Sequence, residues 1–276
     1  MDTFLTTKEV ADLLRVKERK VYDLASAGEI PHRRITGKLL FPREKLTAWL
    51  GGAPAERPSV LAGSHDPLLE WAVLESGAPL ALLFNGSGPG LDTYAKGEAA
   101  LTGLHIQAER WNIDTVAARA PADSVLLAFA ARTRGLILAP HLAGTVTDLR
   151  AASAHRFVLR QGGTGTAALL ERLSAEAGVG ALDGTRVRTE SDAAAAIAAG
   201  EGDVTLGIEA MARRFRLPFV PLLTERFDLL IDRRAHFTPP VQALLAFART
   251  PVFAQKAAAL GGYDLCDHGT VRWLGA

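Results

Sequence analysis

Polar and apolar positions over the first fifty or so residues fall into short helical and hairpin patterns, and longer apolar runs follow. In Leu5-Thr6-Thr7-Lys8-Glu9-Val10-Ala11-Asp12-Leu13-Leu14, a threonine can cap free backbone N–H groups and an acid follows in the first turn. Val10, Leu13 and Leu14 are expected to share the inward face of this helix. After a break at Arg15-Val16, the run from Lys17 to Ala25 is again helical in period. Val21, Leu24 and Ala25 face inward there, while Lys17, Arg19, Lys20 and Tyr22 can face out. Gly28 closes the helix, because a C-terminal cap commonly takes a left-handed backbone. Ile35-Thr36-Gly37-Lys38-Leu39 then reads as a hairpin with basic residues on both sides of its tip. Two helices on a tight turn, the second one basic, form the helix-turn-helix pattern. The hairpin is a wing able to lay Arg33, Arg34 and Lys38 along phosphates.

Beyond the Gly/Pro-rich segment 51–58, strand-like runs alternate with helical ones. Strands are expected at Val60–Ala62, Leu80–Phe84, Leu101–Ile106, Gly135–Ala139, Arg156–Leu159, Asp203–Leu206 and Pro218–Leu222. Helices are expected over Pro67–Glu75, from about Leu91, from Ala167 and over Ala193–Ala199. Alternation of this kind predicts a parallel sheet covered by helices, an α/β fold. About 220 residues is generous for one sheet and suits two lobes.

Charge separates the two parts. Residues 1–50 hold ten Lys/Arg and seven Asp/Glu, a balance of +3, while the whole chain stands at +1. A basic head on a near-neutral body suits nucleic-acid contact by the head. No apolar run approaches the roughly twenty residues of a membrane span, and the N-terminus lacks a basic-then-apolar signal segment. The lone Cys266 makes no internal disulfide and no metal cluster. A cytoplasmic protein without membrane contact is expected.

Glycine- and hydroxyl-rich turns precede helices at Gly63-Ser64-His65-Asp66-Pro67, Asn85-Gly86-Ser87-Gly88-Pro89-Gly90 and Gly162-Gly163-Thr164-Gly165-Thr166. Helix N-termini carry unpaired N–H groups and the positive end of the dipole, so each turn is a candidate anion cradle. Familiar alternatives fail on spacing. None of these turns has the P-loop lysine, Leu91 stands where a dinucleotide fingerprint needs its third glycine, and Gly88 occupies the serine position of a nucleophile elbow. Helix capping remains open for Ser64, Ser87, Thr164 and Thr166, and a core role for His105.

Two resemblances organise these readings. The head resembles the excisionase-type, MerR-like winged helix-turn-helix family through Leu5–Leu14, Val21-Tyr22, Gly28-Glu29-Ile30-Pro31, the run Arg33–Pro42 and Leu46–Leu50. From about Val60 onward the chain resembles the periplasmic-binding-protein-like domain fused to such heads in regulators and, more distantly, the molybdate-binding proteins. The second resemblance rests on Gly63–Leu69, Gly88–Leu91, Gly97–Ala100, Leu104–Ile106, Arg134–Leu136, Arg160–Thr166, Ala199–Ile208 and Glu225–Leu229. The family pattern places an arginine after the Gly-Ser/Thr-Gly-Thr turn, and this chain has Ala167 there.

The resemblances imply a small winged helix-turn-helix domain over 1–50, a linker over 51–58 and a two-lobed type II periplasmic-binding-protein-like domain over 59–276. Lobe 1 is expected at about 59–128 and 228–276, and lobe 2 at about 132–227. Ser64, Ser87, Gly88 and His105 would line the cleft from the first lobe. Gly163, Thr164, Gly165 and Thr166 would line it from the second, with Glu209 approaching and Arg160 either bracing the lobe or meeting ligand. Lys17, Arg19, Lys20, Tyr22, Arg33, Arg34 and Lys38 would meet double-stranded DNA. The expected function is a homodimeric one-component transcriptional regulator, not an enzyme. It would need no cofactor and would sense an oxyanion effector such as molybdate or tungstate. The alternative is an architectural or excisionase-like DNA binder without ligand sensing.

Overall fold

The computed structural model describes residues 4–50 and 56–275. The chain divides into two compact units, Met1–Glu56 and Arg57–Ala276.

In the head, β1 (Phe4–Thr6) leads into α1 (Thr7–Leu14) and α2 (Glu18–Ser26). The wing strands β2 (Arg33–Ile35) and β3 (Lys38–Pro42) and helix α3 (Arg43–Leu50) follow. Thr6 opens α1 with a reciprocal cap: its hydroxyl accepts from the Glu9 N–H at 3.3 Å, and the Glu9 carboxylate accepts from the Thr6 N–H at 2.7 Å. The strands pair in the order β1-β3-β2. Thr36 and Gly37 both take positive φ, 47° and 79°, the two-residue mirror turn that sets Ile35 opposite Lys38. Val10, Val21, Ile30, Phe41 and Leu46 form the buried centre. Leu13 was expected to point inward and is exposed. The inward stripe of α1 is Thr7, Val10, Ala11 and Leu14, the i, i+3, i+4, i+7 set, and Leu13 lies off it.

In the body, β4 (Val60–Gly63), α4 (Pro67–Glu75), β5 (Ala81–Phe84), α5 (Ser87–Ala95), β6 (Leu101–Leu104) and α6 (Asn112–Arg119) build most of lobe 1. The long strand β7 (Ser124–Leu138) crosses to lobe 2. That lobe holds α7 (Leu149–Ala152), β8 (Phe157–Arg160), α8 (Gly165–Glu176), β9 (Gly184–Val187), α9 (Glu190–Ala198), β10 (Val204–Ile208) and α10 (Glu209–Phe215). A second long strand, β11 (Phe219–Asp232), returns to lobe 1. There α11 (Pro239–Phe247), α12 (Pro251–Leu260), β12 (Tyr263–Asp264) and β13 (Val271–Leu274) complete the body.

The strand order is β5-β4-β6-β11-β7-β10-β8-β9, with β12 and β13 also pairing β7. Pairing is parallel between β4 and its neighbours β5 and β6 and between β8 and its neighbours β9 and β10, while β6 pairs β11 and β10 pairs β7 antiparallel. It is also antiparallel where β7 and β11 run together from Ile137↔Phe219 to Ser124↔Asp232. The sheet is therefore mixed, not the parallel sheet that alternation implied. Antiparallel pairing arises because the chain passes between the lobes twice, in opposite directions. Apolar side chains alternate along the crossing strands: Leu127 joins the Phe129–Phe227–Phe253 core of lobe 1, and Leu126 joins the Leu91–Tyr94–Leu104 core on the other face.

Two boundaries differ from expectation. Helix α5 starts at Ser87 rather than near Leu91, since Pro89 is tolerated in a first turn that needs no N–H there. Of the expected linker 51–58, residues 51–55 lie outside the described residues, and Arg57 belongs to the body. The Arg57 guanidinium bonds Asp232 at 3.0 Å and the Ala99 carbonyl at 3.0 Å, and lies 4.4 Å over the Tyr94 ring.

Candidate ligand cleft and its ionic floor

Arg132 and Arg134 lie two residues apart on β7, so both side chains leave the same face of the strand. Both are fully buried where the chain passes between the lobes. Glu225 faces Arg132 across the β7–β11 pairing. Arg132 bonds Glu225 and, at 2.8 Å, Asp66. Arg134 donates to Glu225 at 2.9 Å, to Glu190 at 2.7 Å and to the Thr166 hydroxyl at 3.1 Å. Thr166 in turn donates to Glu190 at 3.0 Å. Asp66 also caps α4 through the Leu69 N–H and accepts from the Tyr263 hydroxyl, both at 2.8 Å.

Burial pushes the Glu190 carboxyl up, but Arg134, Arg132 and Arg160 outweigh it and hold the group at about 2. Burial also opposes ionisation of Glu225, and the two arginines hold it well below the ordinary carboxylate range. His105 stacks on Phe227, with its Nδ1 at 3.4 Å from Glu225. Burial lowers the imidazole's affinity for a proton more than Glu225 raises it, so the ring is held neutral. Polar side chains are thus paired in the floor except at the Nε atoms of Arg132 and Arg134, which donate no hydrogen bond. Glu225 Oε2 lies only 2.8 Å from the Arg134 Nε, off its N–H direction.

Above this floor lies a cleft of about 600 Å³. Its walls include Ser64, Asn85, Gly86 and His105 from lobe 1, and Arg160, Thr164, Gly165, Thr166, Thr189, Glu190 and Ser191 from lobe 2. Residues from the starts of α5, α8 and α9 therefore converge on one space. Thr164 caps α8 by accepting from the Ala167 N–H at 3.2 Å, and Thr189 caps α9 by accepting from the Asp192 N–H at 2.9 Å. Helix α5 begins at Gly86 without a side-chain cap, which leaves its first N–H groups for another partner.

The lobes touch inside the gap. A side chain at Gly165 would place its Cβ 2.9 Å from the His105 ring, so only glycine permits this approach. Arg172 of α8 reaches Gln107 of lobe 1 at 3.1 Å. An adjoining pocket of about 320 Å³ is lined by Ser87, Gly88, Gly163, Thr164, Gly165 and Arg172, among others.

Ser64 and Ser87 are buried and share a hydroxyl hydrogen bond of 2.8 Å, and Ser87 Oγ also accepts from the His105 main-chain N–H at 3.1 Å. That bond uses one of the two hydroxyl protons and leaves the other without a partner among the described residues. Neither serine caps its helix: Asp66 caps α4, and Ser87 follows the uncapped Gly86. Ser64, His105, Thr164, Gly165 and Thr166 line the larger cleft, and Ser87, Gly88 and Gly163 line the adjoining pocket. The hydroxyl of Thr166 is fully engaged by Glu190 and Arg134. Glu209 pairs with Arg213 on α10 and does not line the cleft. Where the family pattern has an arginine at 167, this chain brings Arg160, Arg188 and Arg214 to the cleft from other positions.

Sequence reading missed the ionic floor. Its signal is Arg132-Thr133-Arg134 inside an apolar run, a spacing that puts both charges on one face of a buried strand.

In the head, Lys17, Arg19, Lys20 and Tyr22 are exposed on α2 and its entry. Arg33, Arg34 and Lys38 are exposed on the wing. Among the described residues, no helix is long and apolar enough to cross a membrane.

Two lobes, two crossing strands and an intervening cleft define a bilobal binding fold, here carried with a winged helix-turn-helix head. A family model described as a PBP superfamily domain matches residues 70–249, and one described as a helix-turn-helix domain matches residues 4–53. The chain belongs to the PBP superfamily and carries a helix-turn-helix domain ahead of that region. It is 25% identical over 266 residues to the uncharacterized protein YvgK of Bacillus subtilis, covering 83% of this chain and 85% of that protein. The effector-binding domain of QuiR, solved with shikimate, superposes with a TM-score of 0.51 at 12% identity, covering 68% of this chain and 93% of that one. A phosphate-bound putative phosphate transporter substrate-binding protein of Clostridium perfringens gives a TM-score of 0.52 at 11% identity, covering 73% and 96%. The two structural likenesses establish fold.

Proposed function

We propose that the chain is a DNA-binding regulator whose body senses a small anionic solute, and that it acts by binding rather than catalysis. The observation that carries this reading is the cleft itself, where helix starts converge beside the Ser64–Ser87 pair with its one unspent hydroxyl proton, Ser64 lining the cleft and Ser87 the pocket that adjoins it. A helix N-terminus carries about half a positive charge and free donors, which suits an oxyanion. Molybdate and tungstate are the simplest ligands of this class. The cleft's size, about 600 Å³, also admits an organic solute bearing an acid group. Two fold neighbours solved with phosphate and with shikimate agree with that class.

The head supplies the other half of the function. Helix α2 enters the major groove with Arg19, Lys20 and Tyr22 exposed, and the wing lays Arg33, Arg34 and Lys38 along the backbone. A homodimer, acting in the cytoplasm, would present two heads to paired half-sites. Catalysis is disfavoured by the serines' own bonding. Ser87 Oγ takes the main-chain N–H of His105, and the imidazole Nδ1 faces Glu225, so no serine–imidazole couple forms among the described residues.

A thermal-shift panel of molybdate, tungstate, sulfate, phosphate and small carboxylates on the full chain tests this reading. Saturable stabilisation by at least one anion is expected. No stabilisation by any of them would leave the architectural DNA-binding reading in its place.

A further inference from the structure

Helix α8 has a second lined face. Ala167, Leu170, Ser174 and Ala175 turn away from the interlobe gap and cover a pocket of about 390 Å³ inside lobe 2. Val158 and Leu159 of β8, Leu206 of β10 and Leu182 of the following loop give it an apolar side, and Thr166, Glu171, Arg186 and Thr205 line the rest. Two polar groups in it lack partners. The Ser174 hydroxyl is buried and makes no hydrogen bond, although a helical serine ordinarily bonds the carbonyl one turn back. The Arg160 Nε is buried and also bonds nothing. One NH₂ of Arg160 is spent on the Arg188 carbonyl at 2.6 Å, and the other lies 3.9 Å from Glu190, a carboxylate already held by Arg134 at 2.7 Å.

We propose that this pocket is a second effector site, for a small organic monoanion with a hydrocarbon or aromatic body whose charge is taken by Arg160. An inorganic oxyanion matches it less well, because it would leave the apolar side formed by Val158, Leu170, Leu182 and Leu206 uncovered. A body the size of a benzene ring fits, since a cavity of about 150 Å³ already holds benzene. Ser174 supplies a neutral donor along the wall. Arg160 also lines the interlobe cleft, so an anion drawn to it from behind alters the electrostatics of the cleft. By linkage, the two ligands then change each other's affinity by the same factor. Binding in this pocket does not depend on the cleft reading and stands or falls separately, while its coupling to a cleft ligand rests on that reading.

The experiment titrates benzoate and hexanoate into the full chain by calorimetry and locates them by methyl NMR. Saturable binding is expected at millimolar concentration or below, with ligand contacts to the methyls of Leu170, Leu182 and Leu206. Ser174→Leu, which fills the pocket with methyl groups, and Arg160→Gln, which removes the charge, should each weaken binding by about tenfold or more. If Ser174→Leu fails to fold, Ala175→Met fills the same space from the pocket mouth. The proposal is overturned if neither acid binds wild type saturably, if the filled variant binds as tightly as wild type, or if the contacts fall on Leu83 in the interlobe cleft.

Discussion

Replacing Glu225 by glutamine would leave Arg132 and Arg134 buried with only Asp66 and Glu190 as carboxylate partners. Breaking a buried ion pair from one side typically costs about 3–5 kcal/mol, because the remaining charge cannot return to water. Glu225→Gln should therefore lower the urea midpoint sharply, and a midpoint like that of wild type would refute the role given to this carboxylate. The same groups set the response to acid. Glu190 titrates in the fold at about 2 and Glu225 lower than usual, against about 4.3 for an unfolded glutamate. Their stabilisation is complete above pH about 4.3 and is lost as pH falls from there toward 2. His105 adds an earlier loss. Its folded form stays neutral while the unfolded chain gains a proton below pH about 6.5, so stability falls as pH drops through that value. Melting temperature against pH should decline in two stages, gently below neutrality and steeply below about pH 4.

The hydroxyls of the cleft should separate by function. Ser64→Ala or Ser87→Ala removes part of the pair that holds the unspent proton, and anion affinity should fall by about 1.5–3 kcal/mol, roughly ten- to a hundredfold. Thr166→Ala instead breaks the bridge between Arg134 and Glu190, so its loss should appear in melting temperature. Calorimetry and melting curves on the three variants tell these roles apart, and a mere loss of stability with full affinity in the serine variants would count against the cleft assignment.

At the level of elements, the wing and the long strands behave differently as sequence. The cap at Thr6, the turn at Thr36-Gly37 and the span of α4 are local features, set by side chains within four residues of one another, and they were legible. The crossing strands were only half legible. The run from Ser124 to Ala131 is alanine-rich and apolar, which fits a buried helix as well as a strand, and its pairing with β11 is fixed by residues about ninety positions away. Strand β9 has no apolar run and is recognisable only by its place beside β8. The glycine and hydroxyl turns were visible for the same reason as the caps, since each precedes a helix. The ionic floor was not, because it joins β7, β11, α4 and α9 across long sequence separations.

The wing carries its own prediction. Arg33, Arg34 and Lys38 changed together to alanine should weaken DNA binding and flatten its dependence on salt, since fewer counterions are released. Anisotropy titrations at several salt concentrations read both, and an unchanged slope would remove the wing from the interface. Helix α8 carries another. Gly165→Val would drive a side chain into the His105 ring, so the lobes should close less well and anion affinity should drop, as calorimetry would show.

For the whole molecule, the proposed function joins a DNA-reading head to a body whose state would change when its cleft is filled. If ligand and DNA are coupled, each must change the other's affinity by the same factor. In the proposed function an anion would bridge lobes that already meet at Gly165 and at Arg172, and closure of that kind is a common switching motion. The most direct measurement is a calorimetric titration of molybdate and tungstate, then of the wider anion panel, into the full chain and into Ser87→Ala. One saturable site per chain is expected for at least one anion, weakened tenfold or more in Ser87→Ala. Failure of every anion to bind wild type saturably, or equally tight binding when the Ser87 hydroxyl is gone, would contradict anion sensing in the cleft.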